Sequence, residues 1–216
     1  MYSDHTESVH AALAAHTRAA HARLTRHPLL AGLMHPGYPI ANYWRVLAAF
    51  FHFYRFIEAS IQAAHPHLAD GFDYAPRRKQ GWLLQDMGLA GIDPRELSWR
   101  PLREFTPIRI DNAADQVGVL YMIEGATLGG QVISGHIEAR LGITPESGGR
   151  FFSGYGQQTD SRWSEFLSFA ARICCDSAGI DKAAASALGV FERAEAVLDD
   201  YALRAVVAPS MTQQSA

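Results

Sequence analysis

The chain has 216 residues, 48% of them hydrophobic and 19% charged, with a formal net charge of −3. That balance suits one ordinary globular domain with a sizeable core and excludes a disordered chain. It offers no basic surface for nucleic acid and no Lys/Arg run for an anionic membrane, and no apolar stretch reaches the length of a membrane span.

A helical pattern rich in Ala, with Leu13 and Leu24, runs from Glu7 to about His27. Thr6 or Asp4 is expected to cap it, and Pro28 closes it, because proline disfavours helix at the residue before it. After the Met34-His35-Pro36-Gly37 loop, Pro39 suits the first turn of a second helix that runs to about Ala64. It carries Tyr43, Trp44, Leu47, Phe50, Phe51, Tyr54 and Ile57, and Pro66 stops it. Pro76 starts a third helix, Arg77 to about Met87, ended by Gly88, while Asp93-Pro94 and Pro101 mark loops. Asp111 begins a long fourth helix to about Leu141, with Gly142 as its stop.

Thr144 to Gln158 reads as a Gly-rich loop, and Asp160 or Ser161 caps a fifth helix to about Ser177. The adjacent Cys174 and Cys175 then read as neighbouring thiols inside a helix, not as a disulfide framework. A sixth helix spans about Lys182 to Val206. Strand alternation bounded by hairpin turns is missing. The expectation is an all-α, single-domain helical bundle over residues 1–208, followed by a polar tail over 209–216. The polar start MYSDHTESVH lacks an apolar signal core, which makes the reducing cytoplasm the default compartment.

The anomaly is the fourth helix. It contains Gly118, Gly125, Gly129, Gly130 and Gly135, and an interior helical Gly costs about 1 kcal/mol relative to Ala. Gly125, Gly129 and Gly130 share roughly one face. Two readings stand side by side: tight helix–helix packing, or a backbone laid against a flat ligand. Helical sequence on both sides, with no preceding strand, argues against a phosphate loop. Among the histidines, His10, His16, His21 and His27 fall on the first helix without the four-residue spacing of a helical zinc pair. A lone helical His can still fill one axial position of heme iron.

The stretch from Glu124, Glu-Gly-Ala-Thr-Leu-Gly-Gly-Gln-Val-Ile, resembles the distal-helix signature of heme oxygenases, most of all the bacterial enzymes associated with phytochromes. Leu13, Thr17 and His21, spaced by four, resemble that family's proximal helix, and the aromatic helix from Tyr43 to Glu58 and the Phe151-Phe152 pair fall where the family has them. The resemblance implies that heme is both cofactor and substrate, that His21 ligates its iron, and that Gly125, Ala126, Thr127, Gly129 and Gly130 form the opposing wall that directs oxygen to one meso edge. The product would be biliverdin, with release of ferrous iron and carbon monoxide. Dioxygen and an external electron donor, a ferredoxin or a reductase, are then partners, and a bacteriophytochrome is a further one if the bilin serves as its chromophore.

The sequence departs from the family at three places. Thr25 stands where many members have a carboxylate one turn after the ligand. Ala126 stands where animal-type members have an Asp that holds a water network, leaving Tyr121, Thr127 or backbone carbonyls to bind the proton-carrying waters. Ser164 and Ser168 stand near the family's basic propionate partners, so Arg18, one turn before His21, is the first substitute, with Arg162 or Arg172 after it. Phe151, Phe152, Trp163 and Phe166 are expected in the core. The competing readings are a non-catalytic heme carrier or sensor on the same fold, a di-iron bundle, for which Glu7 and His10 make only one Glu-x-x-His pair, and a scaffold without ligand.

Overall fold

The computed structural model describes residues 2–68, 70–95 and 108–203. Pro101, the boundary near residue 208 and the tail lie outside them. Within the described residues the chain is helical and contains no strand. The helices are α1 (Tyr2–Thr25), α2 (Pro28–Ala31), α3 (Ile40–Ala64), α4 (Gln80–Leu89), α5 (Ala113–Leu141), α6 (Arg150–Ser153), α7 (Thr159–Ile173) and α8 (Ser177–Leu203).

Helix α5 runs through the bundle and packs along α8 and α7, while α1 lies on the other flank of α8. Its ends follow from local chemistry. The Asn112 side chain accepts from the Asp115 N–H at 3.0 Å, and Gly142, at φ 66°, supplies the left-handed residue that ends the helix. Gly118 makes the contact with α8 possible: a Cβ there would collide with the Ala183 carbonyl oxygen. The core is continuous and includes Leu13, Tyr43, Leu47, Phe53, Val117, Leu120, Ile123, Phe166 and Val190.

Several boundaries differ from the sequence expectation. α1 already starts at Tyr2, so Asp4 and Thr6 lie within it and neither caps it. Pro28 does more than close α1, because it opens the short helix α2, whose first turn is capped by the His27 side chain. Pro39 is the N-cap of α3 and not part of its first turn. The third helix begins at Gln80 and continues through Gly88 to Leu89, because Ala75–Arg77 forms a separate 3-10 turn and the Arg77 and Lys79 side chains are drawn into the interior. The expected Gly-rich loop contains a π-turn (Pro145–Gly149), α6 and a 3-10 turn (Gly156–Gln158). α7 stops at Ile173, so the cysteines sit in the turn before α8; both are free, with Cys174 buried and Cys175 exposed.

No described helix is long and apolar enough to cross a membrane.

Candidate functional site

A cavity of about 460 Å³ opens between α1 and α5 and is closed at its inner end by α3 and the Phe151-Phe152 segment. That volume lies within the range of small-molecule sites. From α1, Ala14, Thr17, Arg18, His21, Leu24 and Thr25 reach the cavity wall, as expected of positions three, four and seven apart on one helical face. Thr17 is buried, and its hydroxyl donates to the Leu13 carbonyl at 2.8 Å.

His21 sits on this wall but is exposed, because the cavity is open to solvent. Its ring meets Phe191 of α8 edge-on, with centroids 6.1 Å apart, and its ring nitrogens form no hydrogen bond among the described residues. One turn later the Thr25 hydroxyl donates back to the His21 and Ala22 carbonyls, at 3.0 and 3.3 Å. His16 points elsewhere: its ring is 2.8 Å from the Ala12 carbonyl and 3.6 Å from Asp181 of α8. Arg18 is exposed at the mouth and makes no ion pair among the described residues.

The opposite wall belongs to α5, where the glycines divide into two kinds. A Cβ on Gly130 would lie 2.9 Å from the Phe152 carbonyl oxygen, so this glycine, like Gly118, is demanded by packing. A Cβ on Gly129 would meet nothing within 4 Å, and one on Gly125 would only touch Trp163 at 3.8 Å. Both line the cavity. No packing contact therefore explains their missing side chains; open space above them does. Ala126 and Thr127 also line the cavity, and the buried Thr127 hydroxyl donates to the Ile123 carbonyl at 3.2 Å. Tyr121 completes this wall, with its hydroxyl proton held more tightly than usual by partial burial.

The inner end is aromatic. Asp86, buried in α4, accepts the N–H groups of Arg150 and Phe151 at 2.9 and 2.7 Å, which caps α6 and fixes Phe151 and Phe152 against the cavity. Phe152 and Phe166 belong to the core as expected, and Phe151 and Trp163 pack against it; Phe151, Phe152 and Trp163 also line the cavity, whereas Phe166 is fully buried and off the wall. Arg162 is also off the wall. Its side chain lies across Tyr155 and 3.4 Å from Glu165, and Arg172 lies over Phe169.

Behind this wall lies an ionic cluster that no motif in the sequence marks. Glu124, the residue before Gly125, is buried and accepts from Arg77 Nη1 and Lys79 Nζ, each at 2.6 Å. Arg77 also reaches the Arg162 carbonyl at 2.9 Å and Glu165 at 2.5 Å. The buried Glu58 accepts from the Lys79 backbone N–H at 2.5 Å, and burial raises its pKa. A signal was available in composition: the chain has only two lysines, Lys79 and Lys182, and one of them is 1% exposed.

The residues present fit a flat, largely apolar ligand carrying a metal at its centre. Such a ligand needs an uncommitted imidazole on one face, a wall without side chains on the other, and an apolar rim; His21, the Gly125–Gly129 surface, and Leu24, Leu30, Phe50 and Phe191 provide them.

Comparison with known proteins leads to the same ligand. The chain shares its fold with a heme oxygenase from Neisseria meningitidis solved in NO- and CO-bound forms, at a TM-score of 0.69 and 19% identity over 94% of this chain and 97% of that chain. The architecture is therefore that of the all-helical heme oxygenases. A family model described as heme oxygenase matches residues 7–200, and the chain belongs to the heme oxygenase family, whose members degrade heme. No curated protein matches it significantly.

Proposed function

We propose that this chain opens heme to biliverdin, releasing ferrous iron and carbon monoxide, with His21 as the iron ligand. Bound heme would supply the iron that activates dioxygen and the meso carbon that is oxidised. The observation that carries this reading is the division among the α5 glycines, since Gly125 and Gly129 are free of packing demands and face His21's cavity.

The side chains have separable tasks. His21 offers an imidazole nitrogen from α1, with its ring plane limited by Phe191 and without a carboxylate partner one turn away. Gly125, Ala126, Thr127 and Gly129 keep the opposite wall low, so that backbone limits where a bound oxygen species can lean; Gly130 holds this wall against the Phe152 backbone. Arg18 pairs with a carboxylate at the mouth, where its guanidinium forms no ion pair with an acid among the described residues. Tyr121 borders the same slot. Arg162 lies outside the slot and is not assigned a propionate. Electrons come from an external ferredoxin or reductase, and the product is chemically suited to serve as a bilin chromophore.

Heme titration of wild type and His21→Ala, followed by product analysis under turnover, tests the proposal. Wild type should show a His-ligated spectrum that His21→Ala loses, and should yield a bilin with ascorbate or a ferredoxin system. An intact His-ligated spectrum in His21→Ala would remove the ligand assignment. A stable heme complex yielding no bilin would favour the carrier reading, which the absence of an acid at Ala126 motivates.

A further inference from the structure

One end of the ligand slot is a cluster of rings from three helices. His10 of α1, Tyr121 of α5 and Trp163 of α7 all border the cavity. Ring centroids lie 5.6 Å apart for His10 and Trp163, 6.0 Å for Tyr121 and Trp163, and 6.3 Å for His10 and Tyr121. His10 precedes His21 by three turns on the cavity face of α1, about 16 Å of helix. On α5, Tyr121 stands one turn before Gly125, which stands one turn before Gly129. Both walls therefore reach the ring cluster at the same end, while Leu24 of α1 and Ile133 of α5 lie toward the other.

Trp163 is the ring that reaches over the glycine wall. Two atoms of its six-membered ring would lie 3.8 and 3.9 Å from a Cβ on Gly125. Gly125 thus has an aromatic edge above it, whereas Gly129 has open space. The indole is backed on two sides. Phe166, one turn on in α7 and fully buried, lies 5.1 Å from it, and His10 meets it edge-on at 81°. Tyr121 is itself tied to α1 by a hydrogen bond between its hydroxyl and Thr17. Packing of this kind leaves the indole less freedom than a side chain standing alone in a cavity.

The inference rests on the heme-opening reading of the preceding subsection. The low glycine wall does not by itself choose which meso carbon lies beneath it, because a flat macrocycle can turn in its own plane about the His21 axis. Arg18 restrains that rotation at the mouth only. The rim of heme is uneven, since its methyl, vinyl and propionate groups differ in length, so a stiff stop at the slot's end accepts some rotations and rejects others.

We propose that Trp163 is a specificity-determining residue: its indole stops the rim of the macrocycle at the Gly125 end of the slot and thereby fixes the rotation that selects the meso carbon. His10 and Phe166 act through it as positioning residues.

The test uses the full chain and two ferric probes, heme and iron coproporphyrin, which carries a propionate on every pyrrole and so has a longer rim on all sides. Wild type should bind iron coproporphyrin about tenfold more weakly than heme, and Trp163→Ala should narrow that ratio to about threefold or less while heme keeps its His-ligated spectrum. Under turnover, wild type should yield one dominant bilin isomer and Trp163→Ala a mixture. An unmoved affinity ratio, or an unmoved isomer pattern, in Trp163→Ala protein with the His-ligated spectrum overturns the proposal and leaves heme oxygenase function intact. Equal affinity of wild type for the two probes overturns it as well. Should Trp163→Ala fail to fold, Trp163→Phe, which keeps a ring against Phe166 but is shorter toward Gly125, decides by the same ratio, and a wild-type value there overturns the stop. Failure of wild type to bind heme removes both readings together.

Discussion

Arg77 Nη1 donates to Glu124 Oε2 across 2.6 Å, and each of the two side chains is 1% exposed. Removing one member of such a pair leaves a buried charge without its partner, at a cost of about 3–5 kcal/mol. Arg77→Met should therefore lower the unfolding free energy by about that amount in a urea titration. Arg77→Lys should recover only part of it, because a single ammonium cannot span Glu124, Glu165 and the Arg162 carbonyl as the guanidinium does. A loss under about 1 kcal/mol in Arg77→Met would mean that Lys79 and the Tyr155 hydroxyl, which donates to Glu124 at 2.9 Å, satisfy the carboxylate without it.

The α5 glycines should separate stability from ligand binding. Gly129→Ala places a methyl in open space within a helix, so stability should stay level or rise by about 0.5–1 kcal/mol while heme affinity or regioselectivity changes. Gly130→Ala pushes on the Phe152 carbonyl and should cost about 1–3 kcal/mol. Denaturation and heme titration of the same two variants check both halves, and equal stability losses would contradict the division.

Asp86 holds the N-terminus of α6, and with it the inner aromatic wall. Asp86→Ala should cost about 1–3 kcal/mol and loosen Phe151 and Phe152. Fluorescence of Trp82, or hydrogen exchange at the Arg150 and Phe151 amides, would report the change. Exchange as slow as in wild type would show that other contacts position the turn.

Glu58 gives a prediction in pH. Burial raises its pKa in the fold, so the native state holds this proton more tightly than the unfolded chain. Its contribution to stability is then greatest below the ordinary carboxyl range and falls as pH rises from that range through the raised native value. Glu58→Gln should remove this slope from the curve of unfolding free energy against pH. Parallel curves for the two proteins would place the slope elsewhere.

Much of the fold was legible because helix ends carry local signals. Gly142 stops α5 where expected, and Pro66 follows the end of α3. The order of helices is likewise written in apolar periodicity. What could not be read was the partnership of distant charges: Arg77-Arg78-Lys79 looks like the start of a solvated helix until Glu124, 47 residues beyond Arg77, comes to face it. The glycines show a related limit. Gly129 and Gly130 are adjacent, but one helical step turns one toward open cavity and the other into the Phe152 backbone, and no property of glycine itself tells these apart. Cys174 reads as helical in the sequence because no glycine or proline stops α7 at Ile173; burial pushes its thiol pKa up to about 11, so it behaves as an inert core residue.

Both flanks of the ligand slot lean on one helix that supplies little of its lining. α8 meets α5 where Gly118 lets the Ala183 backbone approach, and it meets α1 where Phe191 abuts His21. The gap between imidazole and glycine wall is therefore gauged at a distance, like jaws set by a common spacer. A bulkier residue at Gly118 would pry that gap without entering it, so the tolerance of this enzyme for altered macrocycles could shift through changes that touch neither iron nor porphyrin.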